Sequence, residues 1–262
     1  INEQGYYAGI CEASPILDDL LVPMTIREFE FIRYNTTKDV EDIKIPISGP
    51  YMMAIMTIDK YFTDTLRARH EDDPARLRYE VKQELTRALA ERIVRPQVKA
   101  LAKAGAKWIQ IDEPSLTNDY EHIPIFVEGI NTVVSGIDGV KFSLHICYPN
   151  RKTFTARNGY ELLFPYILDL NPKVDNLSLE LANANDYERD LFPFVQHAGQ
   201  RQFELAIGST DIRPEVPKMS VNELSELVRS RLLKASKLIN PNKLYAAHDC
   251  GLRRLPLEYS FL

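Results

Sequence analysis

Residues 104–114 read Ala104-Gly105-Ala106-Lys107-Trp108-Ile109-Gln110-Ile111-Asp112-Glu113-Pro114. Upstream, from about Pro74 to Ala104, Leu77, Val81, Leu85, Leu89 and Ile93 recur at every fourth residue, the apolar stripe of one amphipathic helix. Gly105 follows where a helix C-cap glycine is expected. Trp108 to Ile111 is then an apolar run of the length of a buried parallel strand. It breaks off at a pair of carboxylates, Asp112-Glu113. Helix, glycine, strand and polar strand end together make one unit of a parallel α/β fold.

The same unit recurs on both sides. Short apolar runs lie at Ile43 to Ile47, Val140 to Leu144, Leu177 to Leu181, Phe203 to Ile207 and Leu244 to Ala247. A second clear helical pattern spans Ser220 to Ile239, opened by a capping-box pair, Ser220 and Glu223, with Pro241 just beyond its end. Strands alternating with helices predict an α/β fold with a parallel sheet. A closed (β/α)8 barrel needs eight such units and a doubly wound sheet needs no set number, so the six strands leave both open. The glycine-rich phosphate loop of a dinucleotide-binding sheet is absent. The chain reads as one domain, 1–262, with strand-helix units over 41–262. Residues 1–40 fit the alternation poorly and are expected to be irregular or an antiparallel excursion carrying Tyr6, Tyr7, Phe29, Phe31 and Tyr34.

Composition narrows the function. Of 262 residues, 45% are hydrophobic and 26% charged, with a net charge of −5, a profile that needs no disulfide staples to bury a core. No basic run stands out, which argues against nucleic acid as a partner. No stretch approaches the ~18 apolar residues that span a bilayer, and the opening residues do not read as a signal peptide. Cys11, Cys147 and Cys250 are an odd, widely spaced set, so a disulfide framework is not expected and a reducing, cytoplasmic setting is. The chain begins at Ile1 and ends at Ser260-Phe261-Leu262, as a fragment, a processed product or part of something longer would.

The chemistry lies at the strand ends, where parallel α/β folds gather functional groups. After the successive runs come Ser48-Gly49-Pro50, Asp112-Glu113-Pro114, His145-Ile146-Cys147-Tyr148, Glu180, Asp211 and Asp249-Cys250-Gly251. His145 and Cys147 are two apart at a strand end, which points an imidazole and a thiol the same way. Singly, each has an ordinary explanation: an incidental pair, a buried free cysteine at Cys250, a buried ion pair at Glu180. One metal ion joins all three. Nitrogen, two thiolates and a carboxylate suit tetrahedral zinc. The carboxylate is the most readily exchanged of the four, and coordination turns a substrate thiol into a nucleophilic thiolate.

At these residues the chain resembles the catalytic barrel of cobalamin-independent methionine synthase and its shorter relatives. The matching stretches are Gly49-Pro50, Ile109-Gln110-Ile111-Asp112-Glu113-Pro114, His145-x-Cys147-Tyr148, Leu179-Glu180, Asp211-Ile212 and Asp249-Cys250-Gly251-Leu252, in the family's order over roughly residues 40–262. The resemblance implies a (β/α)8 TIM barrel and zinc at His145, Cys147, Glu180 and Cys250. It implies substrate contacts from Asp112, Glu113 and Asp211, with Asp112 holding the amino group of homocysteine. The six strands would be the third to eighth of the barrel. Its first two strands and last helix, and the long enzymes' N-terminal folate-gripping domain, have no counterpart here. Where the folate-dependent enzymes carry a histidine two residues after Asp211, this chain has Arg213, a poor general acid. The methyl donor could then be a methyl-corrinoid protein as well as methylfolate.

Arg213 could equally clamp a substrate carboxylate or form a surface ion pair. His248 reads as a supporting group of the metal site or as a simple core or loop histidine. Cys11 has no partner motif. The expectation is a zinc-dependent homocysteine S-methyltransferase acting on a small-molecule thiol. The rivals are another zinc-dependent thiol alkyltransferase of the epoxide-to-coenzyme M kind, a non-catalytic zinc-binding barrel, and a metal-free decarboxylase, which has no need of soft ligands.

Overall fold

A computed structural model of the chain describes residues 9–11, 25–115, 120–148, 159–182, 187–212 and 219–251. In chain order its strands are β1 (Gly9–Cys11), β2 (Lys44–Ser48), β3 (Thr57–Asp59), β4 (Trp108–Asp112), β5 (Lys141–Ile146), β6 (Val174–Leu179), β7 (Glu204–Thr210) and β8 (Leu244–His248). The helices are α1 (Ile26–Asn35), α2 (Pro50–Ile55), α3 (Tyr61–Arg67), α4 (Pro74–Leu89), α5 (Arg95–Lys103), α6 (Ile123–Val134), α7 (Tyr187–Gln196) and α8 (Val221–Ala235).

Six strands form one sheet in the order β2-β4-β5-β6-β7-β8, with every neighbouring pair parallel. Apart from the small β1–β3 pair, each strand lies beside its predecessor in sequence, and the order never reverses. That is the winding of a (β/α)8 barrel; a doubly wound sheet would change direction at a switch point. Among the described residues the sheet is an open arc with β2 and β8 at its edges. All six strands overlap the apolar runs seen in the sequence; β6 is displaced, beginning at Val174 and ending at Leu179, so that Glu180 follows the strand instead of lying in it.

On β4 the odd positions Ile109 and Ile111 are buried against the helices, while Trp108, Gln110 and Asp112 alternate onto the other, concave face. The helix-side residues join Val98 and Leu101 of α5 and Phe126, Ile130 and Val133 of α6 in one continuous core. Burying each such side chain contributes about 1.5–3 kcal/mol. The concave face is therefore free to carry chemistry, and it points polar groups at the strands' C-terminal ends.

The helical pattern over Pro74 to Ala104 is observed, with one irregularity. Between α4 and α5, Ala90–Val94 form a π-helical turn in which the amide of Arg95 donates to the carbonyl of Ala90. Pro96 accounts for it: proline has no N–H to give and its ring crowds the preceding turn, so the helix widens locally and continues. Gly105 follows with a φ of 101°, the left-handed conformation expected of a C-cap glycine. The capping box at Ser220 and Glu223 is also present, with both reciprocal hydrogen bonds.

Residues 1–40 differ from expectation. Tyr6 and Tyr7 lie outside the described residues. Phe29, Phe31 and Tyr34 belong to a helix, α1, with Phe29 buried and Phe31 and Tyr34 exposed. Ile26 and Phe29 are three apart and share the packed face, a helical spacing inside a short aromatic-rich segment that β-propensity alone misreads. The strand in this region, β1, pairs in parallel with β3, not antiparallel.

Candidate metal centre

Four side chains converge where β5, β6 and β8 end. His145 lies near the end of β5 and Cys147 just past it; Glu180 directly follows β6; Cys250 lies two residues past β8. One ligand atom from each falls within 4.8 Å of all the others. His145 Nε2 is 3.2 Å from Cys147 Sγ, and Cys147 Sγ is 3.6 Å from Cys250 Sγ. A tetrahedral zinc with bonds of about 2.0–2.3 Å sets ligand-to-ligand edges of about 3.3–3.8 Å. Both the spacing and the donor set fit that ion.

The surroundings orient each ligand. His145 Nδ1 lies 3.2 Å from the carbonyl of Ser178, the residue opposite His145 on β6. A carbonyl can only accept, so this contact places the proton on Nδ1 and leaves the Nε2 lone pair facing the thiols. Glu180 Oε2 accepts from the amide of Tyr148 at 3.0 Å. Tyr160 is fully buried, and its hydroxyl accepts from the amide of Glu180 at 2.9 Å while lying 3.0 Å from the carbonyl of Ile146 and 3.2 Å from that of Glu180. It ties the ends of β5 and β6 together. Asp249 plays the same part between β6 and β8: its Oδ1 accepts from the amides of Leu181 and Ala182 at 2.9 and 2.8 Å.

The electrostatics of the four groups are compatible with a cation. Burial pushes Glu180 up to about 8. The hydrogen bond between the thiols, with burial and the Glu180 charge, drives Cys147 far above its usual range. That same hydrogen bond, with support from His145, holds Cys250 well below it. Burial lowers the His145 imidazolium, but the hydrogen bond to Cys250 and the Asp112 charge outweigh it. By themselves the four groups share too much negative charge to be deprotonated together. A bound dication reverses that.

The structure places the other predicted residues as follows. Asp112 ends β4 on the concave face, directly opposite His145 in the sheet register, with Gln110 Nε2 donating to its Oδ1 at 2.8 Å. Burial raises its carboxyl. Glu113 is brought elsewhere. It is fully buried, and its two oxygens accept from the amides of Tyr51 and Met52 at 2.9 and 2.6 Å, capping α2. A Cβ at Gly49 would collide with that carboxylate, which is why the Gly-Pro turn carries no side chain there. Asp211 is half-buried past β7, close enough for its charge to raise Asp249. Arg213 lies outside the described residues, as does the side chain of Cys11. His248 is exposed at the end of β8, the simple loop-side reading.

Tyr160 and the role of Asp249 were not read from the sequence. Tyr160 sits in no periodic pattern. For Asp249 a signal exists on a different strand: Gly208, inside β7, has no room for a Cβ because the Asp249 carboxylate fills it. A glycine within a strand marks such a close approach.

Comparison with known proteins identifies the family. The profile of the family described as "Cobalamin-independent synthase, Catalytic domain" matches residues 7–261. A methionine synthase of Thermococcus kodakarensis is 35% identical over 240 residues, covering 91% of this chain and 59% of its own length. One from Pyrococcus furiosus is 31% identical over 240 residues, covering 91% of this chain and 58% of its own. This chain thus spans about three-fifths of the length of the curated relatives it matches. The structure of a B12-independent methionine synthase from Shewanella sp. W3-18-1, in complex with selenomethionine, shares the fold with a TM-score of 0.67 at 21% identity, covering 92% of this chain and 63% of that one.

Proposed function

This chain belongs to the catalytic-domain family of the cobalamin-independent methionine synthases, and from that premise we propose that it methylates the thiol of homocysteine to form methionine, with zinc held by His145, Cys147, Glu180 and Cys250. The observation that carries the proposal is the convergence of those four donor atoms within 4.8 Å at the ends of three strands, β5, β6 and β8. Zinc, when bound, supplies Lewis acidity that keeps a substrate thiol ionised at neutral pH.

The chain's own residues do the rest. Ser178 fixes the His145 tautomer, and Tyr148 and Tyr160 hold Glu180 and its backbone in place. Asp112, beside His145 on the concave face, accepts hydrogen bonds from the substrate ammonium group. Glu113 supports this indirectly, by capping α2 beneath the Gly49-Pro50 turn. Asp211 extends the same rim. In the transfer the bond between the methyl carbon and its donor breaks, a carbon–sulfur bond forms, and the donor departs with the electron pair. Arg213, standing where folate-dependent relatives carry a histidine, favours a donor whose leaving group needs no proton, a methyl-corrinoid protein. Two cysteine thiolates and a thiol substrate suit a reducing cytoplasm, and among the described residues no helix is long and apolar enough to cross a membrane.

The test is zinc per chain, followed by X-ray absorption at the zinc edge with and without homocysteine. Near one zinc per chain and an added sulfur on titration with thiol are expected. Cys147→Ser and Cys250→Ser should each lower the zinc content. A metal shell indifferent to thiol would make the site structural and end the methyltransferase reading. Methylcobalamin against methyltetrahydrofolate as donor separates the two donor classes; turnover on methylfolate alone would overturn the corrinoid assignment and leave the zinc site standing.

A further inference from the structure

The concave face of a (β/α)8 barrel is usually filled by bulky branched apolar side chains. Here the layer just beneath the metal site is polar. Gln110, Ser143 and Asn176 are directly opposite one another on β4, β5 and β6, one step below the row formed by Asp112, His145 and Ser178. Trp108 Nε1 donates to Ser143 Oγ at 2.6 Å, and Ser143 Oγ donates to Asn176 Oδ1 at 2.7 Å. Gln110 Oε1 and Asn176 Nδ2 are buried; among the described residues the first accepts no hydrogen bond and the second donates none. Each such atom costs about 1–3 kcal/mol, so this row is not built for stability.

One contact leaves the row upward, from Gln110 Nε2 to Asp112 Oδ1 at 2.8 Å. Its direction is settled by chemistry. An ionised carboxylate only accepts, so the amide must present its NH2 there, and the reverse orientation would set a carbonyl oxygen against a carboxylate. Oδ1 thereby accepts from within the protein, and among the described residues no hydrogen bond is made to Asp112 Oδ2. Gln110 and Asp112 lie on the same side of the same strand, so the contact needs no loop to hold it.

We propose that Gln110 is the positioning residue for Asp112: its amide grips Oδ1 and so presents Oδ2, in one rotamer, to the ammonium group of the amino-acid thiol. Gln110 therefore sets the preference for a thiol that carries an amine. The proposal rests on the assignment of Asp112 to the substrate ammonium.

The experiment compares two thiols on the zinc-loaded full chain by titration calorimetry: homocysteine, and 4-mercaptobutanoate, which has the thiol and carboxylate but no amine. Gln110→Met keeps the length and removes the donor; Gln110→Glu keeps the shape and opposes Asp112 with a second charge. Each is expected to weaken homocysteine about tenfold, leave 4-mercaptobutanoate within about twofold, and leave zinc per chain unchanged. Equal losses for both thiols, or none for either, would overturn the proposal, the first by making Gln110 merely structural. If Gln110→Met fails to fold, Gln110→Glu gives the same readout. Asp112→Ala separates the premise: it should abolish the preference for the amine, and a preference that survives it shows that the Asp112 assignment has failed first.

Discussion

Removing the Tyr160 hydroxyl, by Tyr160→Phe, tests whether the proposed metal centre is held by the protein or assembled by the ion. The hydroxyl is fully buried and bridges the ends of β5 and β6, accepting from the Glu180 amide at 2.9 Å and lying within 3.0 and 3.2 Å of the Ile146 and Glu180 carbonyls. Phenylalanine fills the same space, so no cavity enters. What remains is a buried amide and a carbonyl without their partner, at about 1–3 kcal/mol each, or about 3 kcal/mol once the site relaxes. For a domain of this size each kcal/mol moves Tm by about 2–4 °C, giving a fall of about 10 °C. Ile146 lies between two of the four proposed ligands and Glu180 is a third, so zinc affinity should fall about 10–100-fold, as for other losses of a group supporting metal ligands. Thermal unfolding followed by circular dichroism and competition with a chromophoric zinc chelator read the two effects. A variant whose Tm and zinc affinity both match the parent would refute the claim that Tyr160 holds the centre.

Three further perturbations follow from the same geometry. Burial pushes Glu113 up to about 8 in the fold from an ordinary 4.5, so the folded state binds the extra proton between those values; stability is fully present below about 4.5 and declines as pH rises toward 8, and Glu113→Gln should flatten that decline in urea titrations of metal-free protein by at most a few kcal/mol. Gly208→Ala drives a methyl group into the Asp249 carboxylate and the backbone behind it, so it should loosen the β6–β8 tie and lower zinc per chain, measured by atomic absorption. Ser220→Ala removes one half of the α8 capping box and should cost about 1 kcal/mol in chemical denaturation, with zinc content unaltered.

The predicted elements and the observed ones agree where local rules dominate. Strands buried on the helix side must be apolar runs, and β4 through β8 showed as such. The capping box at Ser220 and the left-handed Gly105 are local devices, visible without any fold. The aromatic segment around Phe29 misled because β-propensity reports a half-buried surface, whereas packing at a spacing of three made it a helix. The π turn at Ala90–Val94 was written in Pro96, but a proline inside a strong periodic pattern can break a helix or only widen it, and the packing of α4 and α5 decides which.

By itself the sequence determined the alternation of strands and helices and singled out the four candidate ligands, because both readings start from residue type and short spacing. His145 and Cys147 are neighbours by strand geometry alone. Only the tertiary structure decided what lies beside what across distant strands. It wound the strands in unbroken order, and it brought Cys250 to 3.6 Å from Cys147 across a separation of 103 residues. It also gave adjacent carboxylates different work: Asp112 on the concave face beside the candidate ligand His145, Glu113 in the core at the start of α2. Side chains of successive residues leave a strand on opposite sides, so two neighbours in sequence can face different environments, and the environment sets what a carboxylate does.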